Sequence, residues 1–206
     1  MFRPQSSPIE NTNVLSATIS SPVSARATKV SQLTVALQGM SFGVDFNPAA
    51  NRLRVISDTG QNLRHNIDDG ATAGTTATDG SLTYPPATAT VTGVTGTAYT
   101  NNDLDPATAT TLYDLDTTLD QVAIQSPANA GTLAPTGKLG VDAGTAAGFD
   151  VYSDLRNGRT NAVTGFATLQ VSGKSSLYRV NLITGEASLR GSFPIPVTDL
   201  AVALDD

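Results

Sequence analysis

The residues best suited to chemistry are carboxylates. Asn101, Asn102, Asp103 and Asp105 crowd one short stretch, with Asp114, Asp116 and Asp120 downstream. Hard oxygen ligands of this kind suit Ca²⁺. The stretch lacks the D-x-[DN]-x-[DN]-G register and the distal Glu of an EF-hand loop, and turn chemistry explains Asn and Asp equally well. Calcium is therefore an alternative, and the expectation is no cofactor. Asp103 with Asp105, or Asp114 with Asp116, would also serve as a carboxylate pair for glycoside cleavage, since i and i+2 side chains on a strand share a face about 6.5–7 Å apart. The chain has no tryptophan to stack on a sugar ring. His65 is the sole histidine, so any Ser-His-Asp triad would have to use it; no motif surrounds it, and a packing role is expected. Arg52, Arg54 and Arg64 alternate on adjacent segments, with Asp45, Asp58 and Asp68 near in sequence. The expected result is an exposed salt-bridged ladder, with an anion site as the sharper alternative. The glycines near Asp58 and Asp142 form no phosphate-binding fingerprint, because no strand–Gly loop–helix context exists.

The elements that must position these residues read as short antiparallel strands on tight turns. Phe42, Val44 and Phe46 alternate with Gly43, Asp45 and Asn47, the period of a half-buried strand. Asn47-Pro48 turns the chain. Strands follow over residues 51–57 and 62–67, separated by Asp58-Thr59-Gly60. Before this block, residues 14–19 and, more clearly, 33–37 read as strands. After it, residues 81–84 read as a strand ending at Pro85-Pro86. The pattern restarts with strands at 97–100, 110–116 and 121–125, then a connector over 132–140 containing Pro135. A further round covers 148–152, 161–169, 176–181 and 186–191, and a last apolar strand covers 199–204.

Three segments starting at Asn62, Leu112 and Leu177 align without gaps. Each has Asn or Asp at the fifth place (Asn66, Asp116, Asn181), where the side chain can cap a turn. Leading segments at Phe42, Thr97, Phe149 and Leu200 recur about every 50 residues, near the ~40–50-residue period of propeller blades. The expected fold is all-β and β-propeller-like, with about four blades in a single domain. Residues 1–40 form a degenerate first blade, 41–95, 96–147 and 148–197 the repeats, and 198–206 a closing strand that completes the first blade. The alternative is a β-sandwich or an open stack of meanders.

Composition narrows function. The 206 residues include no cysteine, so thiol nucleophiles, disulfides and thiolate metal sites are excluded. A net charge of −6 and a pI near 4.6 argue against nucleic acid as a partner. No apolar run approaches the ~20 residues of a membrane-spanning helix, so no membrane insertion is expected. No apolar stretch near Met1 suits a signal peptide, so the chain is expected either to stay in the cytoplasm or to lack its true beginning.

The stretches FGVDFNPAANRLRVISDTGQNLRHN, AYTNNDLDPATATTLYDLD, IQSPANAGTLAPTGKLGVD and GFDVYS resemble a bacterial domain family of unknown function, DUF4394. The resemblance implies an exported, surface- or matrix-associated bacterial protein with propeller-like repeats and no catalytic residues. Phe2-Arg3-Pro4 resembles a remnant of the family's opening DFRP motif, and residues 27–30 its closing strand; residues 6–20 depart from the family pattern, as a truncated or frame-shifted start would produce. The function expected is a non-enzymatic extracellular binding or structural module. Its partner is an unknown small molecule, glycan or protein, and its ligand contacts are Asp58, Gln61, Asn62, Asn101, Asn102, Asp103 and Asp105 on two polar turns. The alternatives are a propeller-type hydrolase using Asp103 and Asp105, and a matrix or filament subunit that assembles by strand exchange.

Overall fold

Turn-forming residues every few positions and a scarcity of strong helix formers give a chain of short strands. The computed structural model describes residues 12–21, 24–103, 105 and 107–203. The Phe2-Arg3-Pro4 stretch and Leu204 lie outside the described residues. The fold is all-β; the described residues form four antiparallel sheets and two single 3₁₀ turns at Gly70–Thr72 and Ala128–Ala130. No helix among the described residues is long and apolar enough to cross a membrane.

A hairpin of β1 (Asn13–Ser21) and β2 (Ser24–Gln32) forms a two-stranded sheet. The first four-stranded sheet is β3 (Phe42–Asn47), β4 (Arg52–Ser57), β5 (Asn62–Asn66) and β6 (Thr75–Thr78). The second is β7 (Val94–Tyr99), β8 (Leu112–Asp116), β9 (Gln121–Gln125) and β10 (Leu133–Lys138). The third is β11 (Gly148–Arg156), β12 (Arg159–Val171), β13 (Lys174–Val180) and β14 (Ala187–Ser192). In each of these three, neighbours in sequence are neighbours in the sheet, a plain meander.

The sheets pack through their faces. Ala98, Leu115 and Val122 of the second sheet meet Phe149, Val151, Ala167, Leu169, Tyr178 and Val180 of the third. Ile56 of β4 meets Leu82, Val94, Ala123 and Leu133. The far face of the first sheet, Leu53, Val55 and Leu63, is covered by Leu33 with Val14, Val35 and Leu37. β4 is therefore buried on both faces, and its Leu53-Arg54-Val55-Ile56 run is unbroken by exposed positions. Each such fully buried aliphatic side chain contributes ~1.5–3 kcal/mol.

The leading strands approach one another closely. A β-carbon on Gly43 would lie 2.5 Å from Thr97 N, one on Gly96 would lie 2.7 Å from Phe149 Cβ, and one on Gly148 would lie 2.6 Å from Leu200 N. Glycine at these places is what lets backbone reach backbone. β3 thus lies on β7, β7 on β11, and β11 on residues 199–202.

Several expectations need correction. Val44 and Phe46 do not enter the core: they are 53% and 46% exposed, whereas Gly43 is buried and Asp45 half-buried against β7. Residues 33–37 form no strand. Their backbone is tied to side chains instead: Thr34 N donates to Thr76 Oγ1 (2.9 Å), and Gln61 Nε2 donates to Ala36 O (2.9 Å). The outer strand of the first sheet is Thr75–Thr78, not residues 81–84, which make one isolated parallel bridge, Thr83 to Thr132. An exposed edge of threonines carries no apolar alternation by which to recognise it. The expected connector at 132–140 contains β10; Pro135 is tolerated because β10 is an edge strand with a register shift between Pro135 and Gly137. Residues 199–203 pair with no strand but lie extended on β11.

The three aligned segments also fall in unlike places. Asn62 and Leu177 lie in third strands, but Leu112 opens a second strand. Their shared feature is turn capping. Asp116 Oδ1 accepts from Thr118 N and Leu119 N, Asn181 Oδ1 from Ile183 N and Thr184 N, and Asn66 Oδ1 from Asp69 N. Similar turns, not similar strand positions, produce the alignment.

Candidate functional site

The Asp58–Asn62 turn follows β4, and its polar side chains are directed at the chain itself. Asp58 Oδ1 accepts from Met40 N (2.9 Å), and Thr59 Oγ1 donates to Gln38 O (3.0 Å). Gln61 clamps the preceding segment from both ends of its amide, donating to Ala36 O and accepting from Gln38 N (2.9 Å each). Asn62 is buried: its Oδ1 accepts from Arg54 Nη1 (2.7 Å) and its Nδ2 donates to Gly80 O and Ala128 O (3.0 Å each). A cleft of about 370 Å³ lies beside this turn, lined in part by Gln38, Gln61, Asn62 and Asp79.

The Asn101–Asp105 turn joins the second sheet to the β11–β12 hairpin. Asn101 Nδ2 donates to Ala109 O, and Asn102 N donates to Ser153 Oγ (3.3 Å). Asp103 accepts from Asp105 N at Oδ1 (3.0 Å) and from Thr160 N at Oδ2 (2.9 Å); these amide bonds hold its carboxyl below the usual aspartate range. Asp105 accepts from Ala107 N (2.8 Å) and pairs with Arg159 (3.2 Å). Asp114 and Asp116, by contrast, are fully buried. Among the described residues no three His, Cys, Asp or Glu side chains are placed to hold a metal ion together.

His65 is buried, with Ser31 Oγ at 2.8 Å from Nε2 and Thr76 Oγ1 at 2.9 Å from Nδ1; burial lowers its pKa. It joins the end of β2 to β6 through β5.

The expected exposed arginine ladder is overturned. Arg54 is 2% exposed. It donates to Asp79 Oδ2 (2.7 Å), Asn62 Oδ1 (2.7 Å), Asn129 Oδ1 (2.8 Å) and Tyr99 Oη (3.3 Å), so one guanidinium ties the first sheet to the second. Arg64 shares Asp79 (3.1 Å), and Arg52 pairs with Asp69 (2.9 Å) rather than Asp68. Asp45 faces β7 instead: its Oδ2 accepts from Tyr99 N (2.6 Å). The cause lies in strand parity. Arg54 shares a face with Ile56, and that face is the one buried against the second sheet. That shared parity was the signal in the sequence that Arg54 would be buried rather than exposed.

Two carboxylates are held far from their ordinary state. Asp114 Oδ1 accepts from Thr97 Oγ1 (2.6 Å) while Oδ2 has no partner among the described residues; burial pushes its pKa up to about 7. Burial likewise pushes Asp45 up to about 7, against the lowering effect of the Tyr99 and Phe46 amides, and the charge of Asp150 adds to the rise.

A second cleft, about 410 Å³, opens over β12–β14. Its lining includes Tyr113, Arg179, Asn181, Ile183, Glu186 and Arg190. Arg179 sits directly opposite Ser188, and Arg190 is the extra residue of a β-bulge beside it, so both arginines line one recess.

An all-β chain of three meanders, with its acidic turns tied internally and a two-arginine cleft, is what the residues build. Residues 10–201 match the model of the family described as Domain of unknown function (DUF4394), and the chain belongs to that family. No curated protein and no solved structure matches it.

Proposed function

We propose that the chain is a non-enzymatic binding module of propeller-like architecture, acting at the cell exterior, and that it takes a polar ligand carrying an anionic group in the cleft over β12–β14. The observation that carries this reading is the pair Arg179 and Arg190 lining one recess with Tyr113 and Asn181. Guanidinium groups suit carboxylates and other planar oxyanions, and Tyr and Asn supply stacking area and hydroxyl recognition. The internal use of Asp103 and Asp105 favours binding over hydrolysis, because a general acid needs a raised pKa and a free face, whereas Asp103 is lowered and Asp105 is paired. The chain-order stacking of β3, β7, β11 and residues 199–202 supports the propeller-like arrangement.

The test is calorimetric titration with an acidic oligosaccharide, an oligogalacturonate, and with its methyl-esterified neutral counterpart. Binding of the acidic form alone, weakened at least tenfold by Arg179→Ala with Arg190→Ala, supports the reading. Binding that survives the double substitution, or none of either sugar, removes this ligand class from the cleft.

A further inference from the structure

The cleft over β12–β14 holds a third charge beside its two arginines. Glu186 lines the same recess as Arg179 and Arg190, and all three are exposed. The turn before β14 fixes where Glu186 stands. Asn181 Oδ1 accepts from Ile183 N (3.0 Å) and Thr184 N (3.1 Å), and Asn181 N donates to Glu186 O (2.9 Å). That last bond carries the β13–β14 ladder one step past the Val180 and Ala187 pair and sets Glu186 opposite Asn181. Arg179 faces Ser188, so Glu186 is its diagonal neighbour on the same side of the sheet. Long side chains at diagonal positions are within reach of one another. Yet among the described residues the ion pairs are those of Arg52, Arg54, Arg64, Arg156 and Arg159. Neither Arg179 nor Arg190 is joined to Glu186, and the recess is lined by unpaired charges of both signs.

A ligand that carries oxyanions alone answers only part of this lining. Its anionic group suits the two guanidinium groups. The same ligand brings negative charge toward Glu186 and takes water from that carboxylate without replacing it. A ligand with an ammonium beside the oxyanion answers both signs. We propose that Glu186 is a specificity-determining residue of the cleft, selecting acidic sugars that also carry a free amine over sugars that are acidic only. The inference rests on the anion-binding reading of the cleft and adds the second charge that the ligand carries. At about 410 Å³ the recess is at the small end of ligand pockets, so both groups belong to one short ligand, with an acid on one ring and an amine on the next.

Two disaccharides with one skeleton test it: glucuronate linked to glucosamine with its amine free, and the same disaccharide N-acetylated. At about pH 6 glutamate and uronate are ionised and the amine is protonated. Calorimetric titration is expected to show the free-amine form binding about fivefold tighter than the N-acetyl form, the weight of one partly exposed ion pair. Glu186→Gln should close that gap by weakening the free-amine form, and should leave the N-acetyl form bound at least as well as before. Its melting temperature should be unchanged, since Glu186 is exposed. Arg179→Ala with Arg190→Ala should weaken both forms. Equal affinity of the wild type for the two forms, or a gap that survives Glu186→Gln, would overturn the role of Glu186 and leave the arginine cleft standing. A wild type that binds neither form would remove the cleft reading and this inference together.

Discussion

Asp45 Oδ2 accepts the backbone N–H of Tyr99 at 2.6 Å, across the gap between the first and second sheets. Asp150 Oδ2 does the same for Val202 N at 2.7 Å. In both strands a glycine two residues earlier, Gly43 or Gly148, brings the backbones together. A carboxylate on one leading strand thus satisfies an outward-pointing amide on the next, where no ladder partner exists.

Removing the acceptor should separate from removing the charge. Asp45→Ala leaves the Tyr99 amide unpaired and is expected to cost about 1–3 kcal/mol. Asp45→Asn keeps an acceptor oxygen and removes a poorly solvated charge, so it should be near neutral or stabilising at about pH 8. Urea denaturation of both variants gives the comparison, and equal losses would count against the acceptor role.

Stability should fall as pH rises through the acid-to-neutral range. Asp45 and Asp114 lie near 7 in the folded chain against an ordinary 3.8, so the folded state binds more protons than the unfolded state between those values. The proton-linked stabilisation is full below 3.8 and is lost by about pH 7, with a total on the order of a few kcal/mol. Asp103, held low by amides, acts in the opposite sense and only toward more acidic pH. The urea midpoint should be higher at about pH 5 than at about pH 8, and Asp114→Asn should flatten that slope.

Arg54 and Arg64 share Asp79 but should differ sharply in weight. Arg54→Ala leaves the buried Asn62 Oδ1 without its donor and takes from Asp79 the more deeply buried of its two arginines, and is expected to cost about 3–5 kcal/mol. Arg64 is 36% exposed, and Arg64→Ala should cost no more than about 1 kcal/mol. Thermal or urea unfolding of the two variants checks this, and similar losses would contradict the buried tie.

Glycine substitutions should sort by what a β-carbon meets. Gly43→Ala drives a methyl to 2.5 Å from Thr97 N and 2.7 Å from Gly96 C, backbone atoms that cannot step aside. A loss of about 1–3 kcal/mol is expected. At Gly191 nothing lies within 4 Å, and Gly191→Ala should be neutral. Differential scanning calorimetry of the pair tests the close approach.

How much was legible in the sequence follows from the same contacts. The strands at Arg52–Ser57, Asn62–Asn66, Leu112–Asp116 and Gln121–Gln125 announce themselves, because turn residues bracket β-branched or apolar runs. Thr75–Thr78 and Leu133–Lys138 did not, because edge strands need no apolar face and can carry a proline at a bulge. Phe42 does pack on the Leu53–Leu63 cluster, but Val44 and Phe46 invited the wrong inside, since hydrophobicity alone cannot reveal that Gly43 is buried by a neighbouring backbone 54 residues further on at Thr97. The polar turns were recognisable as turns, but Gln61, Asn62, Asp103 and Asp105 have partners up to 66 residues away, and no local pattern encodes those bonds. Arg179 and Arg190 went unnoticed because exposed strand arginines are common and the recess that joins them is tertiary.

Residue-resolved hydrogen exchange of the Tyr99 and Val202 amides bears most directly on the carboxylate-tied stack of leading strands. Both amides should be protected in the wild type. Asp45→Ala should release Tyr99 alone and Asp150→Ala should release Val202 alone, with the amides bonded within the sheets still protected. Exchange at Tyr99 and Val202 that is fast from the outset, or unchanged by either substitution, would contradict it.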